Sequence, residues 1–485
     1  MLYSFLLFAM AEPHFESNCS GVCVFRGNNS RTYYGEGDFT SSDPPTILWT
    51  YPDGPTMNKN SPVYGEPRYW AGNGWTGQPV VHTRKDGIVE LIFGAFDGAV
   101  HFVDFSTGKP TRPPFMTGDI IKGTVSLDPD GYPLLYFGSR DRYYRILSLS
   151  HVQNMEDQWN IERDVLLKVP GDIKERKGTS RDWDGNALID SDYLFLPGEN
   201  SWFYIYHLHR GYNENNVVTI APERTLFFPS WDTPTWKNSL LASIGDPPNK
   251  LNVSIESSPA IHNGVVYFAN SGGRIVGLDI ESAKKGIAKV VFDFWTGDDV
   301  DATIVIDENG MLYVSVEYEI VRTHSKARKL EVGQLLKLDP TKPADPIVWK
   351  LDLVENKDDD GGIWATPAIL KQSFVGEGYV YVPLHTGKLI AVHAASGKIV
   401  WEFPFEPVSW SSPNIIYKGD AANLIVIDNQ GAIFNFSLRE PAKPQLTWKM
   451  NLPANSDPRV QASPLIWDSK IIIGRRDGYM YSIGY

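Results

Sequence analysis

The stretch VPLHTGKLIAVHAASGKIVWEF, Val382 to Phe403, holds two glycine turns in one short span. An alternating strand runs into Thr386-Gly387-Lys388, a second runs into Ser396-Gly397-Lys398, and a third starts at Ile399. Period-two alternation broken by glycine turns specifies antiparallel hairpins. The pattern recurs at Leu91–Lys109, Leu134–Ser150, Leu194–Gly211, Val265–Ser282, Leu424–Leu438 and Ile471–Tyr485, with a divergent copy at Met311–Glu319. Eight copies of one hairpin confine the chain to a repeat architecture, because a single unit cannot bury its own apolar face.

A short lead-in strand precedes each copy: GQPVV, GTVSLD, GNALI, SSPAI, DATIVI, ATPAI, SSPNII and ASPLI. Outer strands follow, clearest around Trp349, Trp401 and Trp448. Four antiparallel strands per unit predict an all-β, eight-bladed β-propeller, with seven blades as the alternative. The last unit ends at Tyr485 without a fourth strand, and ILWTYP (Ile47–Pro52) has the outer-strand form. It is expected to complete that unit and close the ring, removing the exposed sheet edges. The expected organisation is a leader at 1–11, an extension at 12–44 and a single propeller domain at 45–485.

The strand–DG–strand–TGK–WxF grammar resembles the quinoprotein-like propeller family over about Pro45 to Tyr485. FRGNNSRTYYGEG, GNGWTGQPVV, GDIIKGTVSLDPDGYP and NVSIESSPAI look like a group of secreted propellers within it. The resemblance implies the fold. The family's pyrroloquinoline-quinone enzymes use adjacent cysteines and a calcium ion, and this chain has no adjacent cysteines, so a quinone cofactor is not expected.

The formal charge is −13, from 45 Lys plus Arg against 58 Asp plus Glu. That balance argues against nucleic acid or an anionic membrane as partner. MLYSFLLFAMA reads as a short secretory leader cut after Ala9-Met10-Ala11, though it lacks a leading Lys or Arg. The two cysteines, Cys19 and Cys23, are expected to form a local disulfide, in a secreted, extracellular or periplasmic monomer. Asn18, Asn28, Asn252 and Asn435 begin glycosylation sequons, relevant only in a eukaryotic source.

Turns between second and third strands share a face with the lead-in loops, so their polar residues are expected to ring one mouth of the channel. The expected ligand contacts are Trp75, Asp97, Arg140, Trp183, Trp364, His385 and Arg476. Asp182 and Asp184, two apart in SRDWDGNALIDSD, with Glu199 and Asn200 on the next turn, offer oxygens to a hard cation such as calcium. Glu256, just before a small-residue strand, would need a partner near the axis; Lys122 and Arg181 are the candidates, as ion pair or as acid and base. The acids around Asp358 form a charged loop, and DPDGYP (Asp128–Pro133) is a calcium-loop fragment without its later Glu. His207 and His209 share a strand face but lack a clear third metal ligand. The nucleophile elbow, zincin, dinucleotide and P-loop motifs are absent. These features point to a binding scaffold for a glycan, peptide or small ligand, with calcium as a possible companion. The rival reading is a polysaccharide lyase or hydrolase, and behind it a quinone-dependent oxidoreductase.

Overall fold

In the opening stretch, Tyr379–Leu384 pairs antiparallel with Lys388–His393, which pairs with Ile399–Pro404. Ala368–Leu370 adds the inner strand. The computed structural model describes residues 19–63, 66–74, 77–172, 180–231, 253–319, 326–354, 356, 359–454 and 457–485. The leader, Trp75, Asp358 and the sequons at Asn18 and Asn252 lie outside the described residues.

Eight such sheets are arranged radially around an axis, forming an eight-bladed propeller. Blades 1 to 8 begin with inner strands at Val80, Ser126, Leu188, Ala260, Val305, Ala368, Asn414 and Leu465. Blade 8 takes its outer strand from Thr46–Tyr51, which pairs antiparallel with Met480–Gly484, so the ring closes as the sequence predicts. Gly21–Val22 adds a fifth strand to blade 1. The divergent blade 5 gets its third strand, Leu335–Leu338, only after a long excursion from Ser315.

The apolar faces of adjacent blades pack on each other, as in the cluster of Leu134, Tyr136, Leu194 and Tyr204 between blades 2 and 3. Outer tryptophans also reach across. Trp49 Nε1 of blade 8 donates to Phe105 O of blade 1 at 3.1 Å, and Trp349 Nε1 of blade 5 to Ala394 O of blade 6 at 2.8 Å. Each indole lies on the next blade's glycine turn. A Cβ on Gly108 would sit 2.7 Å from Trp49, and one on Gly397 2.7 Å from Trp349. Both glycines also have positive φ (72° and 70°), so turn and docking require the same residue.

Near the axis, one position of every lead-in strand forms a polar belt. The backbone N–H of Gln78 donates to Thr124 Oγ1, Asn186 to Ser258, Ser258 to Thr303, Thr303 to Thr366, Thr366 to Ser412 and Ser412 to Ser463, at 2.9–3.2 Å. Small hydroxylated residues recur there because each satisfies a buried donor of its neighbour. Cys19 and Cys23 are disulfide-bonded, with Cα atoms 6.4 Å apart. Asn435 is fully buried, its amide bonded to Phe39 O, leaving no room for a glycan at that sequon. The DPDGYP turn joins two strands, and Arg210 and Tyr136 hold the carboxylate of Asp128.

Candidate functional site

Two residues before each belt position, the chain has the same orientation and points into one mouth of the channel. Those residues are Lys122, Asp184, Glu256, Asp301, Trp364, Trp410 and Gln461 on blades 2 to 8. All but Asp184 line a cavity of about 590 Å³. Two residues earlier still, Asp299 and Arg459 line it too. Glu317 and Glu319 come from the blade 5 excursion, Phe96 and Arg476 from turns, and Arg68, Tyr69 and Trp70 from the hairpin Asn58–Val63/Glu66–Ala71.

Charge is sorted by blade. Blades 4 and 5 present carboxyl groups, blades 6 and 7 present tryptophans with Asp360 ahead of Trp364, and blade 8 and the hairpin present arginines. On the acidic side, burial first and then the carboxylates of Asp184, Asp299 and Asp182 push Glu256 up to about 8, against the pull of Lys122. Burial, then Asp299, Glu256 and Glu317, holds Asp301 well above the usual carboxylate range. Glu317 is raised likewise by burial, Asp299 and Glu319. Each of these groups favours a proton, or a bound cation in its place.

The sequence-derived cation ligands do converge in part. Asp182, Asp184 and Glu199 each bring a carboxylate oxygen within 4.8 Å of the others. Lys122 already serves this triad: its ammonium is paired with Asp184 and lies 3.7 Å from Asp182. Burial lowers the pKa of Lys122, but Asp184, Glu199 and Asp182 outweigh it and raise the value. Arg140 Nε binds Asp182 at 2.7 Å, and Ser180 Oγ binds Glu199 at 2.7 Å. A metal ion here would have to displace the lysine. Asn200 turns away, its amide bonded to Gly171 O, Tyr204 Oη and Trp202 N.

On the aromatic side, Trp364 has ring centroids 4.5 Å from Trp410 and 4.0 Å from His385. Burial lowers the His385 pKa against the opposing pull of Asp360. Arg476 stacks over Trp70 and Phe96, both at 5.0 Å, and donates to Gln461 Oε1 at 2.8 Å. Burial and then Arg459 bring it down to about 10, still cationic at neutral pH. Trp70 Nε1, Trp364 Nε1, Arg476 Nε and Glu317 Oε1 are buried around the cavity without a hydrogen-bond partner among the described residues.

Other expected contacts lie elsewhere. Trp183 is 2% exposed and packs between Tyr144 and Tyr204 at the junction of blades 2 and 3. Asp97 is spent on its own turn, accepting from Ala99 N and facing His101 Nε2. Arg181 pairs with Asp172 at 2.8 Å, outside the cavity lining. Sequence reasoning missed Asp299, Asp301, Glu317, Glu319 and Trp410. Stacking the eight lead-in strands on their belt position would have found Asp301 and Trp410. The excursion that carries Glu317 and Glu319 follows no repeat.

No protein-family model and no curated protein matches the sequence. The fold is similar to solved propellers. BamB from Moraxella catarrhalis has a TM-score of 0.53 and 14% identity over 91% of this chain and 100% of that one. Saccharomyces cerevisiae Sqt1 has 0.53 and 10% over 91% and 99%. The quinohemoprotein alcohol dehydrogenase from Comamonas testosteroni has 0.56 and 12% over 98% and 82%. These likenesses show the propeller fold. No helix among the described residues is long and apolar enough to cross a membrane.

Proposed function

We propose that the protein is a secreted binding scaffold whose channel mouth takes a hydroxyl-rich, cationic ligand of the amino-sugar type. The observation that carries this is the set of unpartnered buried donors and acceptors around one cavity with an indole wall. Sugar rings stack their C–H faces on tryptophan and exchange hydrogen bonds in both directions. The raised carboxyl groups of blades 4 and 5 add a preference for positive charge, because an ammonium would stabilise their ionised forms. The Cys19–Cys23 bond and the leader-like N-terminus support an oxidising, exported setting.

Calorimetric titration with glucosamine oligomers, their N-acetylated counterparts and neutral gluco-oligosaccharides tests the reading. The amine-bearing oligomers should bind at least about tenfold more tightly than the acetylated ones, the equivalent of about 1.4 kcal/mol. Trp364→Ala should abolish binding. Absence of binding across the panel, or affinity unchanged in Trp364→Ala, would overturn it. One observation favours a catalytic variant of the same reading: Glu256, held to about 8 beside Lys122, is a protonated acid at neutral pH. New reducing ends or an unsaturated sugar product, lost in Glu256→Gln, would establish that variant.

A further inference from the structure

We propose that the outer end of blade 3 is a zinc site built from Asp192, His207 and His209, with Glu223 within reach as a fourth ligand. It is independent of the channel mouth. One nitrogen from each imidazole and one Asp192 oxygen lie within 4.8 Å of one another. His207 Nε2 is 3.2 Å from Asp192 Oδ2, and His209 Nε2 is 3.7 Å from Glu223 Oε2. The imidazole centroids are 3.6 Å apart. Imidazoles this close can each turn a nitrogen toward one cation.

The local backbone explains how these groups meet. His207 closes the third strand of blade 3, paired in register with Tyr193 on one side and Glu223 on the other. Tyr193 stacks on the His207 ring at 4.5 Å and fixes its plane. His209 has a positive φ of 50°, which folds the chain back just beyond the strand and brings its ring beside that of His207. A non-glycine residue in that region is uncommon and fits a constrained site.

The carboxylate is oriented from behind, as in protein metal sites generally. Arg210 Nε holds Asp192 Oδ1 at 2.8 Å and the Arg210 backbone N–H donates to the same atom, leaving Oδ2 toward His207. Arg210 is itself shared with Asp128 and Asp130. Its single positive charge is outnumbered by Asp128, Asp130, Asp192 and Glu223, so the cluster favours a divalent cation. Two imidazoles with carboxylates suit zinc, with bonds of about 2.0–2.2 Å, whereas calcium and magnesium take oxygen ligands. Closing the present spacing onto one ion needs a shift of about 1 Å, within reach of the half-exposed His209 side chain.

Equilibrium dialysis of the untagged full chain against zinc alone tests the proposal. One zinc per chain should bind in the micromolar range. His209→Asn, which tolerates the positive φ, and His207→Gln should each weaken it by about tenfold or more, and Glu214→Gln, exposed on the neighbouring turn, should not. Cobalt in place of zinc should give the visible absorption band of a tetrahedral site. No stoichiometric zinc, or zinc binding that survives both histidine changes, would overturn it. Calcium bound at the same stoichiometry and lost in the same variants would overturn the assignment to zinc.

Discussion

Glu256 shows how a repeat position becomes a chemical one. Its blade supplies the same backbone as the others, and its neighbours set its protonation. A carboxyl group raised from 4.5 to about 8 on folding favours the folded state when protonated. That contribution is fully present below about 4.5 and is lost as pH rises through about 8. Glu256→Gln removes the titration, so the variant should be more stable than the parent at pH 9. Its stability should also fall less steeply between those limits, by up to about 1.4 kcal/mol per pH unit. Chemical unfolding at a series of pH values checks this; identical pH profiles would place the charge burden on Asp301, Glu317 and Glu199. The sequence marked Glu256 for its place before a small-residue strand, Lys122 as its charge partner, and Asp182 with Asp184 as two spaced carboxylates in one loop. It could not reveal that Lys122 neutralises the pair, since their meeting depends on the angle between blades 2 and 3.

Strands were legible wherever alternation and a glycine turn coincide, as in Tyr379–Pro404, and illegible where they do not. The third strand of blade 5 follows an excursion of about twenty residues and carries no turn motif, so only its outer partner around Trp349 stood out. The lead-in strands stood out in sequence for their small residues, but the hydroxyl belt emerged only from the geometry. Thr366 accepts from the Thr303 N–H at 3.0 Å while its own N–H donates to Ser412 Oγ at 3.1 Å. Thr366→Val keeps the volume and removes one acceptor, stranding a buried N–H. The expected cost is about 1–3 kcal/mol, read as a lower denaturant midpoint at unchanged slope. A change in slope instead would mean that the ring opens as separate parts rather than as one cooperative unit.

At the scale of the whole molecule, the extension before the propeller is part of the ring. Running from Gly21 to Phe39, it bonds to every blade in turn. Gly21 pairs with His82 of blade 1, Cys23 O accepts from Leu127 of blade 2, and Phe25 N donates to Asn186 of blade 3. Asn29 O and Ser30 O accept from Ile261 and Ile306 of blades 4 and 5, and Tyr34 Oη from Ile369 of blade 6. Phe39 O and Asp38 N reach blades 7 and 8. Sequence spacing placed this segment outside the propeller because it has no strand grammar. Its polar, turn-rich composition suits a chain that meets each blade through a few hydrogen bonds. Arg31 is the central tie, fully buried with its guanidinium on Phe25 O, Asn186 Oδ1 and Pro259 O. Burial draws its pKa down to about 9, which leaves it charged at neutral pH. Arg31→Met fills much of the volume but leaves the buried Phe25 O and Pro259 O without their donor, while Asn186 Oδ1 keeps only the Phe25 N–H, an expected loss of about 3 kcal/mol or more. The loss should appear as a lower unfolding temperature together with faster proteolysis of the segment before Thr46. A variant that keeps the parent's melting temperature would show that the segment rests on the ring without bracing it.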